Sequence, residues 1–277
     1  MRQTKEEIRQ ELNERFLKTF GMTYDEFDQL DLHTQLELIS QKREEKKKES
    51  LTKRLIHRLK KQGRWIMNLE ERNQNMREFF NRKIDSYDET HAKFMNTKKA
   101  ITDNLEGPLN KVLDLGAGTG LELIYLFKKF PDVKVTAIDI TKNMLEELSK
   151  RDFASNVTTI CGDFFKVDFG KKYDAVISTS SLHHFLEVDK ELLYQKIYDC
   201  LKLNGIFINV DKIASSRKEE QDGIKDYYKY KNDKPHLDTP LCIESEVSLL
   251  KNVGFTDIEV KDVDAENYKL FIARKSN

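Results

Sequence analysis

The 277-residue sequence predicts an α/β fold, in which a mostly parallel sheet ends in an antiparallel hairpin and follows a helical N-terminal region. Three observations support this. After residue 105, short β-branched apolar runs alternate with helical stretches of about ten residues, as in βαβ units. The nonapeptide VLDLGAGTG, residues 112–120, joins the first run to a helix through three glycines. The last two runs are separated only by DAEN, and because four residues cannot hold a crossover helix, these two strands are predicted to be antiparallel.

Residues 1–80 are predicted to form a separate helical, basic region. They contain no proline, and Thr23 with Glu26 has the form of a capping box that begins a short helix. Within residues 42–64, eleven Lys and Arg residues stand against three Glu, a net charge of +8. This segment is either a solvated helical face or a phosphate-binding patch for RNA or another polyanion, and membrane-surface binding is a third interpretation. The sequence leaves that choice open.

The predicted elements of the sheet follow one another along the rest of the chain. The first five predicted strands are short and mostly apolar, which is typical of parallel strands covered on both faces. The strands are 111–115, 133–139, 156–163, 173–180, 205–211, 256–263 and 268–275, and the helices 119–130, 141–150, 188–203 and 244–253. Gly254 is predicted to end the last helix. The connection 212–243 contains an aromatic and charged segment, 226–233, and His236, and it is predicted to be either a substrate lid or an ordinary surface helix.

The composition argues against several classes of protein. Forty-eight basic and forty-eight acidic residues cancel, so the whole chain indicates neither a nucleic acid nor a membrane partner. No apolar run of about eighteen residues is present, and the charged start is unlike a secretory signal, so we expect no membrane span and a cytoplasmic protein. Cys161, Cys200 and Cys242 are too far apart for a CxxC metal site or a disulfide framework, and we expect buried thiols.

The glycine-rich loop indicates a ligand site. Gly116, Gly118 and Gly120 let the chain turn sharply between a strand and a helix, and exposed N–H groups beside the positive helix end favour an anionic or polar ligand. A dinucleotide fingerprint would need glycine at position 121, which is Leu, and a Walker loop would need GK[ST]. A structural turn without a ligand stays open as the alternative.

Polar residues follow the neighbouring strands at the carboxyl edge, where open α/β sheets bind ligands. Asp139 ends the second strand, and its carboxylate can accept hydrogen bonds from both hydroxyls of a ribose. The third strand ends in GDFF, where Asp163 could accept from an adenine amino group and Phe164 or Phe165 could cover the ring. The fourth strand ends in STSSLHHF, which places small polar residues at the same edge.

In this order and at these spacings, VLDLGAGTG, the acidic end of VTAIDI, CGDFF, YDAVISTSSLHHF and LKLNGIFINVD resemble the class I S-adenosylmethionine-dependent methyltransferases. The resemblance extends over about residues 84–277 and includes the C-terminal hairpin, which separates this family from NAD-binding folds. It implies a Rossmann-like, seven-stranded sheet, a methyltransferase domain over residues 81–277 and S-adenosyl-L-methionine as the cofactor. Residues 1–80 resemble no family that we recognise.

The resemblance also implies how the methionine part of the cofactor is held. Gly116 and Gly118 would face it, and the backbone near Ser178 would lie at its end. Asp114 would reach the ammonium group, directly or through water.

The adenosine part would lie along the next two strands. Asp139 would bind the ribose hydroxyls, and Asp163 with Phe164 the adenine. The segment 84–91 is similar to the helix that many members lay over the cofactor, with Tyr87 pointing inward. The full set implied to bind the cofactor is Tyr87, Asp114, Gly116, Gly118, Asp139, Ile140, Asp163, Phe164 and Ser178.

Catalysis needs few special side chains on this interpretation. A sulfonium methyl is already activated, so in-line transfer depends mainly on positioning and water exclusion. An acceptor hydroxyl or protonated amine would still lose a proton to a base, for which His183, His184 and Asp211 are the catalytic candidates. Packing of a histidine against the following helix, or capping by Asp211, is the structural alternative. No metal site is expected.

The sequence therefore predicts a methyltransferase that acts on a small-molecule acceptor by in-line transfer. One alternative is an RNA (tRNA or rRNA) methyltransferase that uses residues 42–64 to hold phosphates. A second is a nicotinamide-binding oxidoreductase, which Leu121 and the terminal hairpin disfavour. The acceptor atom and the oligomeric state are left open.

Overall fold

The computed structural model describes residues 21–31, 69–230 and 238–276, together with nine positions before residue 42. The chain divides into two compact units, residues 1–66 and 67–277. The basic segment 42–64 and His236 lie outside the described residues. Among the residues described, no helix combines the length and the apolar character that a membrane crossing requires.

In the first unit the predicted capping box is confirmed. A short helix, α1 (Tyr24–Asp28), begins after Thr23, whose hydroxyl accepts a hydrogen bond from the N–H of Glu26 at 3.2 Å. The Glu26 carboxylate in turn accepts from the N–H of Thr23 at 2.8 Å. These reciprocal bonds satisfy two backbone donors at the helix start, and Phe27 provides the buried side chain of this turn.

The second unit contains a seven-stranded sheet in the order β3-β2-β1-β4-β5-β7-β6. Strands β1 to β5 are parallel, and β7 is antiparallel to both of its neighbours. The predicted mostly parallel sheet and its terminal antiparallel hairpin are therefore confirmed. The strands are β1 (Lys111–Leu115), β2 (Lys134–Asp139), β3 (Val157–Cys161), β4 (Tyr173–Thr179), β5 (Leu201–Lys212), β6 (Thr256–Asp262) and β7 (Tyr268–Arg274).

The helices of the second unit include the four that were predicted between strands, one of them shorter at its end, and a helix over 95–103 that was not predicted. They are α2 (Leu69–Asn81), α3 (Tyr87–His91), α4 (Met95–Asp103), α5 (Leu121–Lys129), α6 (Lys142–Leu148), α7 (Glu187–Cys200), α8 (Arg217–Tyr230) and α9 (Ile243–Val253). The predicted helix 188–203 ends at Cys200, because Leu201 already pairs with Tyr173 of β4. Gly254 ends α9 in a left-handed conformation, as predicted.

Apolar side chains cover both faces of the sheet, as expected for parallel strands. On β1, Val112 lies in one buried cluster and Leu113 in the other. Helices α4, α5 and α6 contribute to the cluster of Val112, and α7 and α9 to that of Leu113. Because both faces are covered by helices, the carboxyl edge of the strands is left for a site. The expectation of buried thiols is wrong for Cys161, which is exposed because it ends the edge strand β3.

Candidate active site

A cavity of about 560 Å³ lies at the carboxyl ends of β1 to β4. Helices α2 and α3 supply part of its wall through Asn73, Met76, Phe80 and Tyr87. Seven of the nine residues predicted to bind the cofactor line it, namely Tyr87, Gly116, Gly118, Asp139, Ile140, Asp163 and Phe164. The structure thus brings together residues from four separate segments of the sequence.

The glycine loop forms the floor of the cavity. Gly116 has a φ of +78°, and a Cβ there would lie 2.2 Å from the Ser181 hydroxyl oxygen and 2.5 Å from the Ser181 Cβ. The loop N–H groups differ from expectation, because Gly116 donates to the carbonyl of Ile138 at 2.8 Å and Gly118 to the Asp139 carboxylate at 2.9 Å. These two N–H groups are thus bonded within the protein rather than exposed to a ligand. The loop makes room for a ligand because its glycines have no Cβ atoms that would occupy the cavity.

Asp139 is oriented by the backbone on either side of it. Its Oδ2 accepts the bond from Gly118, and its Oδ1 accepts from the N–H of Thr141 at 2.7 Å. Burial raises the pKa of Asp139 above its ordinary value, although these two bonds act in the opposite direction. Each oxygen keeps further acceptor capacity toward the cavity, since a carboxylate oxygen has two lone-pair positions.

The next turn shapes the cavity wall beside Asp139. Asp163 Oδ1 accepts from the N–H of Phe165 at 2.8 Å, which fixes the turn after β3. Phe164 is buried and lies 5.9 Å from Phe185, centroid to centroid. The two rings give this wall an apolar surface, with the Asp163 carboxylate at its edge.

Helix α3 is fixed to the glycine loop by charge-assisted hydrogen bonds. The Asp88 carboxylate accepts from the Thr119 hydroxyl and from the guanidinium of Arg151. Tyr87 stacks on His91 at 3.9 Å and lines the cavity. Burial raises the pKa of the Tyr87 phenol, so this group is neutral at physiological pH.

Two of the residues predicted to bind the cofactor do not line the cavity. Asp114 is fully buried, and neither of its carboxylate oxygens has a hydrogen-bond partner among the described residues. It lies by the buried ion pair of Lys98 and Glu122, whose charged atoms are 3.1 Å apart. Burial, and then the charge of Glu122, raise the pKa of Asp114 well above its ordinary value. Ser178 is also buried and donates to the carbonyl of Leu115 at 2.8 Å, which ties β4 to β1.

The three catalytic candidates lie together. His183 is buried, and its Nδ1 lies 2.5 Å from Asp211 Oδ1, which also accepts from the N–H of Lys212. Burial alone would raise the pKa of Asp211, but the charge and hydrogen bond of His183 outweigh it and lower that pKa. His184 lines the cavity, whereas His183 and Asp211 lie behind the wall.

Asp238 also lies in this group, although it was not predicted. Its Oδ1 lies 3.3 Å from His184 Nδ1 and 3.6 Å from His183 Nε2, and its Oδ2 accepts from Lys212 at 3.0 Å. The N–H of Thr239 donates to the carbonyl of His183 at 2.8 Å, which brings the two segments together. The sequence around Asp238 has no helical or strand periodicity of apolar residues. No sequence pattern therefore indicates that Asp238 lies near the two histidines.

Helix α2 was also not expected at the site. Residues 69–80 were predicted to belong to the N-terminal region, but the compact units divide between residues 66 and 67, so α2 lies in the same unit as the sheet. Arg77 donates to the carbonyl of Ile140 at 3.2 Å, which holds α2 at the end of β2. A helix with scattered apolar residues does not reveal in its sequence which surface it packs on.

Comparison with known proteins gives consistent matches. A family model described as a methyltransferase domain matches residues 112–205. The carboxy-S-adenosyl-L-methionine synthase of Nautilia profundicola is 29% identical over 216 residues, covering 72% of this chain and 89% of that protein. The enzyme of the same name from Helicobacter pylori is 31% identical over 189 residues, covering 61% and 76%. A solved O-methyltransferase candidate from Nostoc punctiforme is 26% identical with a TM-score of 0.58, covering 69% of this chain and 60% of that one.

Proposed function

The chain belongs to the class I S-adenosylmethionine-dependent methyltransferases, with S-adenosylmethionine as its cofactor, and we propose that it transfers the methyl group to a small-molecule acceptor by in-line displacement. Family membership removes the nicotinamide-binding alternative. The lack of Lys and Arg among the described residues that line the cavity supports a small acceptor. The residues at each end of the cavity support the placement of the cofactor.

The observation that carries the proposal is the character of the cavity wall. Among the described residues that line the cavity, none is Lys or Arg. A polynucleotide acceptor needs cations along its phosphates. The RNA alternative therefore depends on residues 42–64, outside the described part of the chain, and on the sequence alone.

The cofactor placement that we propose follows the implied set. The ribose hydroxyls donate to Asp139, whose carboxylate the backbone already orients. Adenine lies against Phe164 with its amino group near Asp163, beside Ile140. The methionine part lies over Gly116 and Gly118, beneath Tyr87. Ser178 lies below this surface and fixes the strand, and Asp114, also below it, reaches the ammonium group through water.

The reaction needs the acceptor atom in line with the sulfur–methyl bond. The acceptor lone pair forms the new bond to the methyl carbon as the sulfur–methyl bond breaks, and S-adenosylhomocysteine leaves. Positioning and exclusion of water supply most of the acceleration in such a step. Where the acceptor atom carries a proton, His183, His184 and Asp211 are the side chains that assist its loss. Of the three, His184 is the one in the cavity wall.

Carboxy-S-adenosyl-L-methionine synthesis is a second candidate, because the chain covers 89% of a relative with that name. The product named there carries an added carboxyl group, which would need a cation or several hydrogen-bond donors beside the sulfonium. Among the described lining residues, His184 is the side chain that can carry a positive charge. Hydrogen-bond donors such as Tyr87, Ser180 and Ser181 line the same cavity, so the product of the reaction decides between the two candidates.

A label-transfer experiment separates the three outcomes. The protein is incubated with S-adenosylmethionine labelled in its methyl group and a cell extract divided into low-mass and RNA fractions. We expect label in a low-mass product, and none with the Asp139→Ala variant. Label in RNA that high salt prevents would favour the RNA alternative. Gain of a carboxyl group by the cofactor, read by mass spectrometry, would favour the synthase. Either result would overturn the small-molecule proposal.

A further inference from the structure

We propose that His183, His184 and Asp238 form a binding site for one divalent transition-metal ion, with Zn²⁺ as the closest chemical match, in the wall of the cavity. The inference rests on the proposed function only in its last step, where the ion meets the acceptor. The site itself follows from the ligand atoms, their spacing and the groups that orient them.

The spacing of the ligand atoms matches a metal site. His183 Nε2, His184 Nδ1 and an Asp238 oxygen all lie within 4.8 Å of one another. Two of the three separations are 3.6 Å and 3.3 Å. Tetrahedral ligands about 2.0–2.1 Å from a zinc ion are themselves about 3.3 Å apart. Both separations from Asp238 Oδ1 are close to this value.

The groups around the three ligands orient them as in known metal sites. A metal-binding histidine usually donates its other ring N–H to a carboxylate, which fixes the tautomer and raises its basicity. His183 meets this condition, because its Nδ1 lies 2.5 Å from the buried Asp211 and its Nε2 faces Asp238. Lys212 binds the second oxygen of Asp238 at 3.0 Å and leaves Oδ1 toward the histidines.

Burial and charge also fit a cation. His183 and Asp211 are 5% and 1% exposed, and Asp211 Oδ2 has no hydrogen-bond partner among the described residues. The carboxylates Asp211 and Asp238 provide two negative charges beside two histidines. Lys212 offsets one of these charges through its ion pair with Asp238. The remaining negative charge attracts either a metal ion on neutral histidines or a proton on a histidine. In the first arrangement the histidine nitrogens bind a metal ion, and in the second a histidine carries a proton on both nitrogens. A metal titration distinguishes the two.

Two nitrogens and one carboxylate oxygen define the class of ion and what it can do. Zinc sites with three protein ligands keep a fourth position for water or substrate. Because His184 also lines the cavity, an oxygen of the acceptor can take that position. Coordination lowers the pKa of a bound oxygen group, so an acceptor hydroxyl loses its proton to solvent before it attacks the methyl carbon. The acceptor class indicated is a molecule with an oxygen at, or next to, the methylated atom.

The test uses the full chain, treated with a chelator and then freed of it. Titration with ZnCl₂ is followed by calorimetry, and Co²⁺ is used as a coloured substitute whose visible spectrum reports tetrahedral coordination. We expect one equivalent of Zn²⁺ and a tetrahedral Co²⁺ spectrum. Asp238→Asn and His183→Gln abolish both signals, and Asp211→Asn, which keeps all three ligands, weakens binding about 10–100-fold.

Matched controls exclude other sites on the chain. Asp222→Asn removes an exposed carboxylate of α8, and Cys161→Ser removes the exposed thiol. Both variants are expected to bind Zn²⁺ as the wild type does. The proposal is overturned if wild-type protein binds no Zn²⁺, if Asp238→Asn binds it normally, or if Cys161→Ser loses it. Asp238 is partly exposed, so its variant is expected to fold even if His183→Gln does not, and a melting curve checks this.

Titration of the same chelator-treated samples with S-adenosylhomocysteine keeps the two proposals distinguishable. Cofactor binding without Zn²⁺ binding refutes the metal site and leaves the methyltransferase proposal intact. Zn²⁺ binding without cofactor binding refutes the cofactor placement and leaves the metal site intact.

Discussion

Substitution of Gly116 by alanine tests whether the glycine loop is the floor of the cofactor site. The new Cβ would lie 2.2 Å from the Ser181 Oγ and 2.5 Å from the Ser181 Cβ. Rotation of the serine can move the hydroxyl, but its Cβ is fixed to the backbone, so one of the two segments has to move. Both segments line the cavity, so the displacement reaches the cofactor directly.

The expected cost has two parts that the chain allows to be separated. A left-handed conformation costs an alanine about 1–2 kcal/mol, and crowding of a well-packed site adds about 1–3 kcal/mol. Gly170 has a similar φ, +72°, and the atom nearest to an added Cβ is 4.0 Å away. Gly170→Ala should therefore lose about 1–2 kcal/mol of unfolding free energy, and Gly116→Ala about 2–5 kcal/mol.

Cofactor affinity separates the variants further. In Gly116→Ala the loop relaxes away from Ser181, and binding has to restore the crowded arrangement. If the strain at Gly116 and cofactor binding are coupled by about 1–3 kcal/mol, the cofactor binds about 5–150-fold more weakly. Gly170→Ala should bind S-adenosylhomocysteine as the wild type does. Calorimetric titration measures the affinity, and urea unfolding measures the stability.

A double-mutant cycle with Ser181→Gly locates the cause. Removal of the Ser181 side chain deletes both close contacts, so the double variant should recover about 1–3 kcal/mol relative to the sum of the single changes. The reasoning is refuted if Gly116→Ala loses no more stability than Gly170→Ala, if it binds the cofactor normally, or if Ser181→Gly recovers nothing.

Three further predictions concern buried charges. Asp139→Asn should weaken cofactor binding at least tenfold by calorimetry, because a charge-assisted hydrogen bond contributes about 1.5–3 kcal/mol. Ribose donors favour the ionised carboxylate, and burial raises the pKa of Asp139; wild-type affinity should therefore fall as the pH drops through that raised pKa, and the variant should lack this slope. Asp114→Asn should raise the unfolding free energy without cofactor by about 1–2 kcal/mol, because a raised pKa means that the folded state disfavours the charge. Lys190→Met should lower it by about 3–5 kcal/mol in urea unfolding, because it leaves the buried Glu246 without its cation.

Each of these predictions has a result that contradicts it. Equal affinities at neutral pH for wild type and Asp139→Asn would contradict the ribose assignment. A less stable Asp114→Asn would show that its charge supports the fold. For Lys190, the companion change Glu246→Leu should restore most of the loss, because it removes the unpaired charge together with its partner; a double variant no more stable than Lys190→Met would contradict the ion-pair account.

The strands, and the residues that follow them at the sheet edge, could be predicted because their determinants are local. A buried parallel strand is an apolar run, so β1 and β2 were found with their bounds to within one residue of the structure. Their register then fixes the site. Leu115 pairs with Ile138, so the residues that follow, Gly116 and Asp139, are adjacent at the sheet edge. A single sequence contains both the runs and the residues after them.

The acceptor side could not be predicted, because its contacts join segments far apart in the chain. The backbone bond from Thr239 brings Asp238 beside His183, and the bond from Arg77 to the Ile140 carbonyl holds helix α2 at the sheet. None of these pairings leaves a periodic signal in the sequence. Tertiary packing decides which segments contact each other here, and it overrides the local secondary-structure propensity of each segment.

This difference in construction implies a difference in function between the two sides. The cofactor side consists of strand ends whose hydrogen bonds belong to the sheet, and Gly118 and Thr141 fix the Asp139 carboxylate to the backbone. A substitution there disturbs fold and binding together. The acceptor side consists of a short turn and an extended segment joined at His183 and Thr239. Substitutions in that segment can alter the group presented to the acceptor while the sheet and the cofactor contacts persist, and acceptor choice is therefore expected to vary more readily than cofactor binding.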